Sequence, residues 1–291
     1  QTDRSHFEIE RGRLSFQGHI YDPALQFYYN LDADTDEDHD VKFHDFWINY
    51  EFSEAFNLHF GKSKVPSGYT WMVTSAHQRL VDRDISTTFF KADRTVGLRA
   101  TGRLGDDKQH YYQAVIGNGL RSTDMRAEDV DELFVYCLIH WTDVLGSVGA
   151  GYSDLAGHEE FSLRIGQSLA YLNQNEGTNG EVLDEARWVR LGNGARLTDP
   201  GALAPGVTVN GFDHYLYTAF LVAKYNGWSA NAEYYYRWLN NFDTSGGSVT
   251  GGLDASGFAV DVGTMLVPAS IELMGRIAAV DTAFGDSWEY A

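Results

Sequence analysis

Along most of the chain, apolar and polar side chains alternate one for one in runs of about ten residues, the length of a membrane-crossing strand. Leu14, Phe16, Gly18 and Ile20 alternate with Arg13, Ser15, Gln17 and His19; beyond a tight turn at 21–24, Leu25, Phe27, Tyr29 and Leu31 alternate with Gln26, Tyr28, Asn30 and Asp32. The unit returns at 44–64. There Phe46, Ile48, Tyr50 and Phe52 alternate with Asp45, Trp47, Asn49 and Glu51, and Ser53-Glu54-Ala55 turns the chain into Phe56, Leu58 and Phe60, which alternate with Asn57 and His59. A period of two places the two sets on opposite faces of a β-strand. Apolar side chains toward lipid and polar ones toward water make the wall of a membrane barrel. A soluble antiparallel sheet with one packed face alternates in the same way.

The order of the connections favours the barrel. Short turns at 22–24, 53–55, 105–108, 143–146, 225–228 and 267–270 alternate with longer excursions at 33–40, 65–93, 119–129 and 241–256. Short turns on one rim and long loops on the other are how outer-membrane barrels are built. The pattern predicts strands over 7–21, 24–33, 41–52, 56–64, 94–104, 109–118, 131–142, 147–153, 158–172, 212–225, 228–240, 257–267 and 270–281, with a further one beginning at Trp288. The region 173–210 breaks the rhythm, with a weakly helical 181–187 and with Pro200 and Pro205 as punctuation. To keep the short turns on one rim, that region must hide one more crossing, placed by parity at 186–191.

Composition narrows the picture. Thirty Gly against five Pro, with 14 % aromatic residues, suit long strands joined by many turns. No stretch approaches the ~20 consecutive apolar residues of a helical span. A formal net charge of −19 argues against a nucleic-acid partner, which needs a basic footprint. Much of the acid lies between strands, at Asp32, Asp34, Asp36, Glu37, Asp38 and Asp40 and again at Asp124, Glu128, Asp129, Asp131 and Glu132. Clustered oxygens suit Ca²⁺, which makes Asp34, Asp36, Asp38 and Asp40 a candidate cation-binding loop. The Gly and the terminal Glu of a helix-loop-helix calcium site are missing, and a solvated acidic loop is the plainer reading. The single Cys137 excludes an internal disulfide and reads as a small buried or lipid-facing hydrophobe. The ten His residues show no spacing that suggests zinc. The chain opens Gln1-Thr2-Asp3-Arg4, without a basic start or an apolar core. Either the protein is cytosolic or a leader has been removed.

From Phe56 to Gly119 the sequence becomes recognisable. The strand closing on Gly61-Lys62-Ser63-Lys64-Val65-Pro66-Ser67-Gly68, the long loop, its return through Ala92-Asp93-Arg94-Thr95-Val96-Gly97-Leu98 and the next strand closing on Gly117-Asn118-Gly119 resemble the phosphate-selective porin O and P family. Arg11-Gly12-Arg13-Leu14 and the strand with Tyr234-Tyr235-Tyr236 fit the same pattern, and the similarity covers most of the chain except 173–210. The resemblance implies one all-β domain over 1–291. That domain would be a transmembrane antiparallel β-barrel of the Gram-negative outer membrane, of about 16–18 strands when complete, usually a trimer set in lipid and lipopolysaccharide. The loop 65–93 would fold inward to narrow the pore. It also implies about three closing strands beyond Trp288, so that the chain reads as part of a longer protein.

A pore needs no catalytic constellation; its chemistry is the charge and width of its narrowest ring. Alternation assigns Arg11, Arg13, Asp45, Glu51, Arg99, Arg103, Glu233, Arg237, Glu272 and Arg276 to the lumen, since each is flanked by apolar or aromatic neighbours and would be costly facing lipid. The inward loop adds Lys62, Lys64, Arg79, Arg83, Lys91 and Arg94 against Asp82, Asp84 and Asp93, a local basic excess in an acidic protein. A cationic constriction favours small anions whatever the net charge; equally, these residues could pin the loop to the wall as ion pairs. Arg99, Arg103 and the loop cations are the expected eyelet. No cofactor is expected. Two rival readings are an enzymatic barrel such as an outer-membrane lipase, and a soluble sandwich binding carbohydrate through Trp71, Trp228 and Trp238. The first lacks a clear outward Ser and His pair. Interfacial aromatic belts explain the many Tyr and Trp residues more simply than the second.

Overall fold

The structure, a computed structural model, describes residues 12–33, 41–74, 77–118, 135–174 and 189–291. It is a single antiparallel sheet of thirteen strands, paired in strict sequence order from first to last. The strands are β1 (Gly12–Ile20), β2 (Asp22–Ala33), β3 (Val41–Ser53), β4 (Phe56–Lys64), β5 (Arg94–Leu104), β6 (His110–Gly117), β7 (Val135–Leu145), β8 (Ser162–Gln174), β9 (Thr208–Tyr225), β10 (Trp228–Ser245), β11 (Leu253–Val267), β12 (Ile271–Thr282) and β13 (Gly285–Tyr290). Two short helices, α1 (Tyr69–Met72) and α2 (Ile85–Phe90), lie in the loop between β4 and β5. Among the described residues no helix is long and apolar enough to cross a membrane, so any crossing is made by strands.

Burial alternates along the strands as the sequence predicts. On β8, Ile165 and Leu169 are exposed while Arg164, Ser168, Ala170 and Leu172 are buried. On β10, Tyr234, Tyr236 and Trp238 are exposed while Glu233, Tyr235 and Arg237 are buried. The exposed set is therefore apolar and aromatic, and the covered set is largely polar, the inverse of a soluble protein. Toward the long-loop rim an aromatic row runs outward across four strands. Tyr136 meets Tyr171, Tyr171 meets Tyr215, and Tyr215 meets Trp238, with ring centroids 6.4, 4.9 and 5.6 Å apart. Tyr225 and Trp228 stand at the opposite rim. Ten residues at about 3.3 Å each separate Tyr215 from Tyr225; on a strand tilted about 40°, this leaves a band of about 25 Å, the height of an outer-membrane barrel's apolar wall.

The sheet curls, because the β4–β5 loop touches strands far along the order. Pro66 and Ser67 carbonyls accept hydrogen bonds from Ser168 on β8 and Thr218 on β9, at 2.6 and 2.7 Å. Glu233 on β10 accepts from the Tyr69 and Thr70 N–H groups, and Glu289 on β13 accepts from the Ile85 N–H at 2.7 Å. The loop thus crosses the space enclosed by the sheet and covers its inner face. Among the described residues no pairing joins β1 to β13.

One predicted strand is absent. Residues 146–161 form an ordered loop on the short-turn rim rather than a strand over 147–153. Gly146, Gly149, Gly151 and Gly157 all take positive φ, and four such turns within twelve residues break any extended run. Asp143 and Asp154 also capture the N–H groups of Val148 and His158. Removing this strand removes the need for a hidden crossing at 186–191: β8 pairs directly with β9 from Ser162 to Gln174. Of that predicted crossing, 186–188 lie outside the described residues; Arg190 makes one isolated bridge to Arg196. The tight β9–β10 turn follows from Asn226 and Gly227, at φ 46° and 79°, the pair of positive values that a two-residue hairpin needs.

Candidate functional site: a cation cluster on the inward loop

The described parts of the loop are held against the inner face of the sheet at both ends. Its first part is fixed by the Glu233 carboxylate, which binds the two leading N–H groups of α1, while Tyr69 stacks on Phe220 at 5.2 Å. Burial pushes the Tyr69 hydroxyl above its ordinary pKa, with Arg164 pulling the other way, so it stays neutral, accepting from Arg164 at 3.5 Å. The second part is fixed through α2. Asp84 caps that helix, accepting from the Thr87 N–H and hydroxyl, both at 2.7 Å; Thr87 and Tyr235 hydroxyls meet at 2.8 Å. Ser86 donates within reach of two strand carbonyls, Phe258 and Ala279. Phe90 lies flat on Tyr235, 5.3 Å between centroids and 8° between planes. Gly257 makes the notch for that ring: a Cβ there would come within 2.6 Å of Phe90 and 2.8 Å of the Ala279 carbonyl.

What the loop presents is a cluster of cations around one indole. Lys64, Arg83, Lys91 and Arg94 place their charged groups 4.9, 4.8, 5.1 and 5.5 Å from the Trp71 ring centre. Trp71 is buried and its N–H donates to the Asp93 carbonyl at 3.3 Å. Lys64 Nζ donates to the Trp71 and Val73 carbonyls, and Arg83 to the Val73 carbonyl. Arg94 pairs with Asp45 on β3, at 2.9 and 3.3 Å, and with Asp93. The indole face and the carbonyls, with Asp45 and Asp93 beside Arg94, reduce the mutual repulsion within the cluster, each cation–π contact contributing about 0.5–2 kcal/mol.

The remaining predicted residues are placed elsewhere. Arg79 is an anchor: it donates to the Tyr152 carbonyl and to Ser229, and its Nε lies 3.4 Å from Glu272. Arg276 likewise binds Asp261 at 2.7 Å and the Asp82 carbonyl at 3.1 Å. Arg237 has the expected inward direction but is covered. Its guanidinium packs against Phe89 and Phe90 and donates to the Arg190 carbonyl, so it lines no open passage in this state. Arg99 sits beneath the loop base, donating to the Lys64 carbonyl. Arg103 is exposed at the short-turn rim against Lys108 and Tyr111, away from the cluster. Lys62 Nζ is buried on the Phe43 carbonyl. Asp34, Asp36, Asp38 and Asp40 lie outside the described residues, as does Arg11.

Two features escape a reading of the sequence. Trp71 is the centre of the cluster, although only its isolated aromatic character shows in the chain. Arg164, on β8, binds Asp143 through two nitrogens at 2.6 and 3.0 Å and stands over Trp141, joining the wall to the 146–161 loop through the Gly149 carbonyl.

A curled antiparallel sheet with lipid-facing aromatic rows, polar inner residues and an inward loop defines an outer-membrane β-barrel of the porin class. The family model for phosphate-selective porin O and P matches residues 1–256. The chain belongs to the phosphate-selective porin O and P family and is an outer-membrane channel protein. Among solved structures, the chain is similar to a loop L8 deletion mutant of OmpT, an outer membrane protein of Vibrio cholerae. The two are 9 % identical over 97 % of this chain and 89 % of that one, with a TM-score of 0.44. In-vitro folded OmpT in its trimer form, from the same organism, is 9 % identical over 100 % and 89 %, with a TM-score of 0.37. Identity this low leaves the family match to carry the assignment. Comparison with curated proteins finds no match.

Proposed function

We propose that this porin is a passive conduit for small hydrophilic solutes and prefers anions, with the Trp71 cluster as its selectivity element. The observation that supports this is the gathering of Lys64, Arg83, Lys91 and Arg94, from the inward loop and the two strand ends that carry it, within 5.5 Å of the Trp71 ring centre. A local field of this sign lowers the barrier for an anion even in an acidic protein. The basic residues then have different work: Arg79 on the loop and Arg276 on β12 hold the loop in place, and the Trp71 group sets the charge. We also propose that the leader is removed before insertion. The lipid-facing rows would contact outer-membrane lipid and lipopolysaccharide, and the family resemblance supports a homotrimer.

The test is the reversal potential of the full-length protein in a planar bilayer under a KCl gradient. The Arg83→Gln/Lys91→Gln double variant is expected to move it toward cation preference, with the loop still docked. A reversal potential equal to that of the parent protein would overturn the assignment.

A further inference from the structure

The inner face of β2–β4 carries a set of rings that the constriction does not use. Tyr28 and Trp47 occupy facing positions on β2 and β3. Their rings are offset and nearly parallel, 5.4 Å between centroids and 23° between planes. The His59 ring on β4 stands edge-on to Trp47 at 5.1 Å and 74°. All three side chains are only half-buried, so ring surface is left to the lumen. Opposite Trp47 on β4 is Gly61, where an added Cβ would come within 2.7 Å of the Trp47 Cα. At that position the strand beside the indole carries no side chain.

Carboxamides border the rings. Asn49 donates to Gln26 at 3.2 Å and Gln26 to Glu51 at 3.3 Å. On the other side, Ser15 donates to Asn30 at 3.4 Å and lies 3.5 Å from the Tyr28 hydroxyl. Asn49 is only 3 % exposed, yet its Oδ1 accepts no hydrogen bond; an acceptor left so is a place where a donor is missing. Of the full charges nearby, Arg13 pairs with Asp32 at 3.0 Å and Arg94 with Asp45 at 2.9 Å, while Glu51 stands at one end of the strip, held by Gln26, and Arg99 faces His59 across β4 and β5.

Flat apolar faces edged by amides do not suit a small inorganic ion, which has no face to stack. They suit a pyranose ring. One side of a pyranose presents C–H groups to an aromatic surface, and its equatorial hydroxyls reach groups that both donate and accept. We propose that the β2–β4 strip is a binding path for short neutral oligosaccharides, stacked on Tyr28 and Trp47 and hydrogen-bonded through Gln26, Asn30 and Asn49. This path does not rest on the anion preference of the Trp71 cluster.

The experiment is current block in planar bilayers with the full-length protein in KCl, adding maltotriose or cellotriose, two neutral trisaccharides of different chain curvature. At least one should reduce the current saturably, with half-block at about millimolar concentration, the affinity of a few stacked rings and hydrogen bonds. Trp47→Ala should raise the half-blocking concentration about tenfold or more while the sugar-free conductance persists; Trp47→Phe, which keeps a ring, should recover most of the affinity. Tyr28→Ala carries the same expectation and serves if Trp47→Ala does not insert. Arg83→Gln should leave the block unchanged. A channel that conducts KCl but is blocked by neither sugar, or one blocked equally well after Trp47→Ala, overturns the proposal.

Discussion

Asp84 shows how much of the loop's position depends on single groups. It is fully buried, and burial pushes its carboxyl above the usual carboxylate range while the Thr87 bonds pull it back only in part. A folded-state pKa above the unfolded one means that the fold favours the protonated acid. That contribution is complete below the unfolded value and is lost as pH rises through the folded one. Asp84→Asn keeps an acceptor for the Thr87 N–H and carries no charge at any pH. The difference in unfolding midpoint between Asp84→Asn and the parent should therefore be most in favour of Asn near neutral pH and should shrink as pH falls toward 4. Asp84→Ala, which removes the cap altogether, should cost about 1 kcal/mol at low pH and less near neutrality, read from urea titrations. At this scale the sequence is half legible. The basic excess of Lys64, Arg83, Lys91 and Arg94 stands in the chain itself. That Arg79 anchors the loop while Arg83 faces Trp71 depends on partners contributed by distant strands, which no local pattern reveals.

At the scale of elements, alternation was a reliable guide wherever a strand has one face in lipid and one in water. β4 and β5 coincide with the predicted 56–64 and 94–104, because an apolar residue displaced by one position would flip every side chain to the wrong face. The pattern misled at 147–153. There a Gly-rich stretch alternates by chance, but its backbone turns through positive φ at Gly149 and Gly151, and Tyr152 and Val148 bury themselves against Tyr69 and Ile139 rather than against lipid. Helix α2 was invisible for a different reason: six residues cannot form a stable helix alone, and this one exists because the wall receives it. Its seat can be tested at Gly257. Gly257→Val should drive Phe90 off Tyr235, costing about 1–3 kcal/mol as overpacking. The released loop should show faster protease cleavage between 74 and 84, with the β-sheet content unchanged by circular dichroism.

For the molecule as a whole, the outward surface predicts how substitutions depend on depth. Leu169 projects from the middle of β8 and Leu145 from the end of β7, and both are exposed, at 57 % and 52 %. If the band between the aromatic rows is the hydrocarbon layer, Leu169→Arg should cost about 2–4 kcal/mol in reversible unfolding from lipid vesicles, and Leu145→Arg only about 0–1 kcal/mol. Equal costs would remove the assigned membrane position. The docking of the loop also says something about the order of events. The Ile85 N–H finds its acceptor 204 residues further on, and the Ser86 hydroxyl bonds a carbonyl 193 residues away. Contacts separated so widely close late, because the chain between them must first be ordered. The wall can therefore be laid down from β1 onward, but the constriction forms only once β10 to β13 are in place to receive it. Between the completion of the wall and the docking of the loop the passage is at its widest, so a delay in that final step should be felt by the cell as a leak before it could be noticed as a misfolded protein.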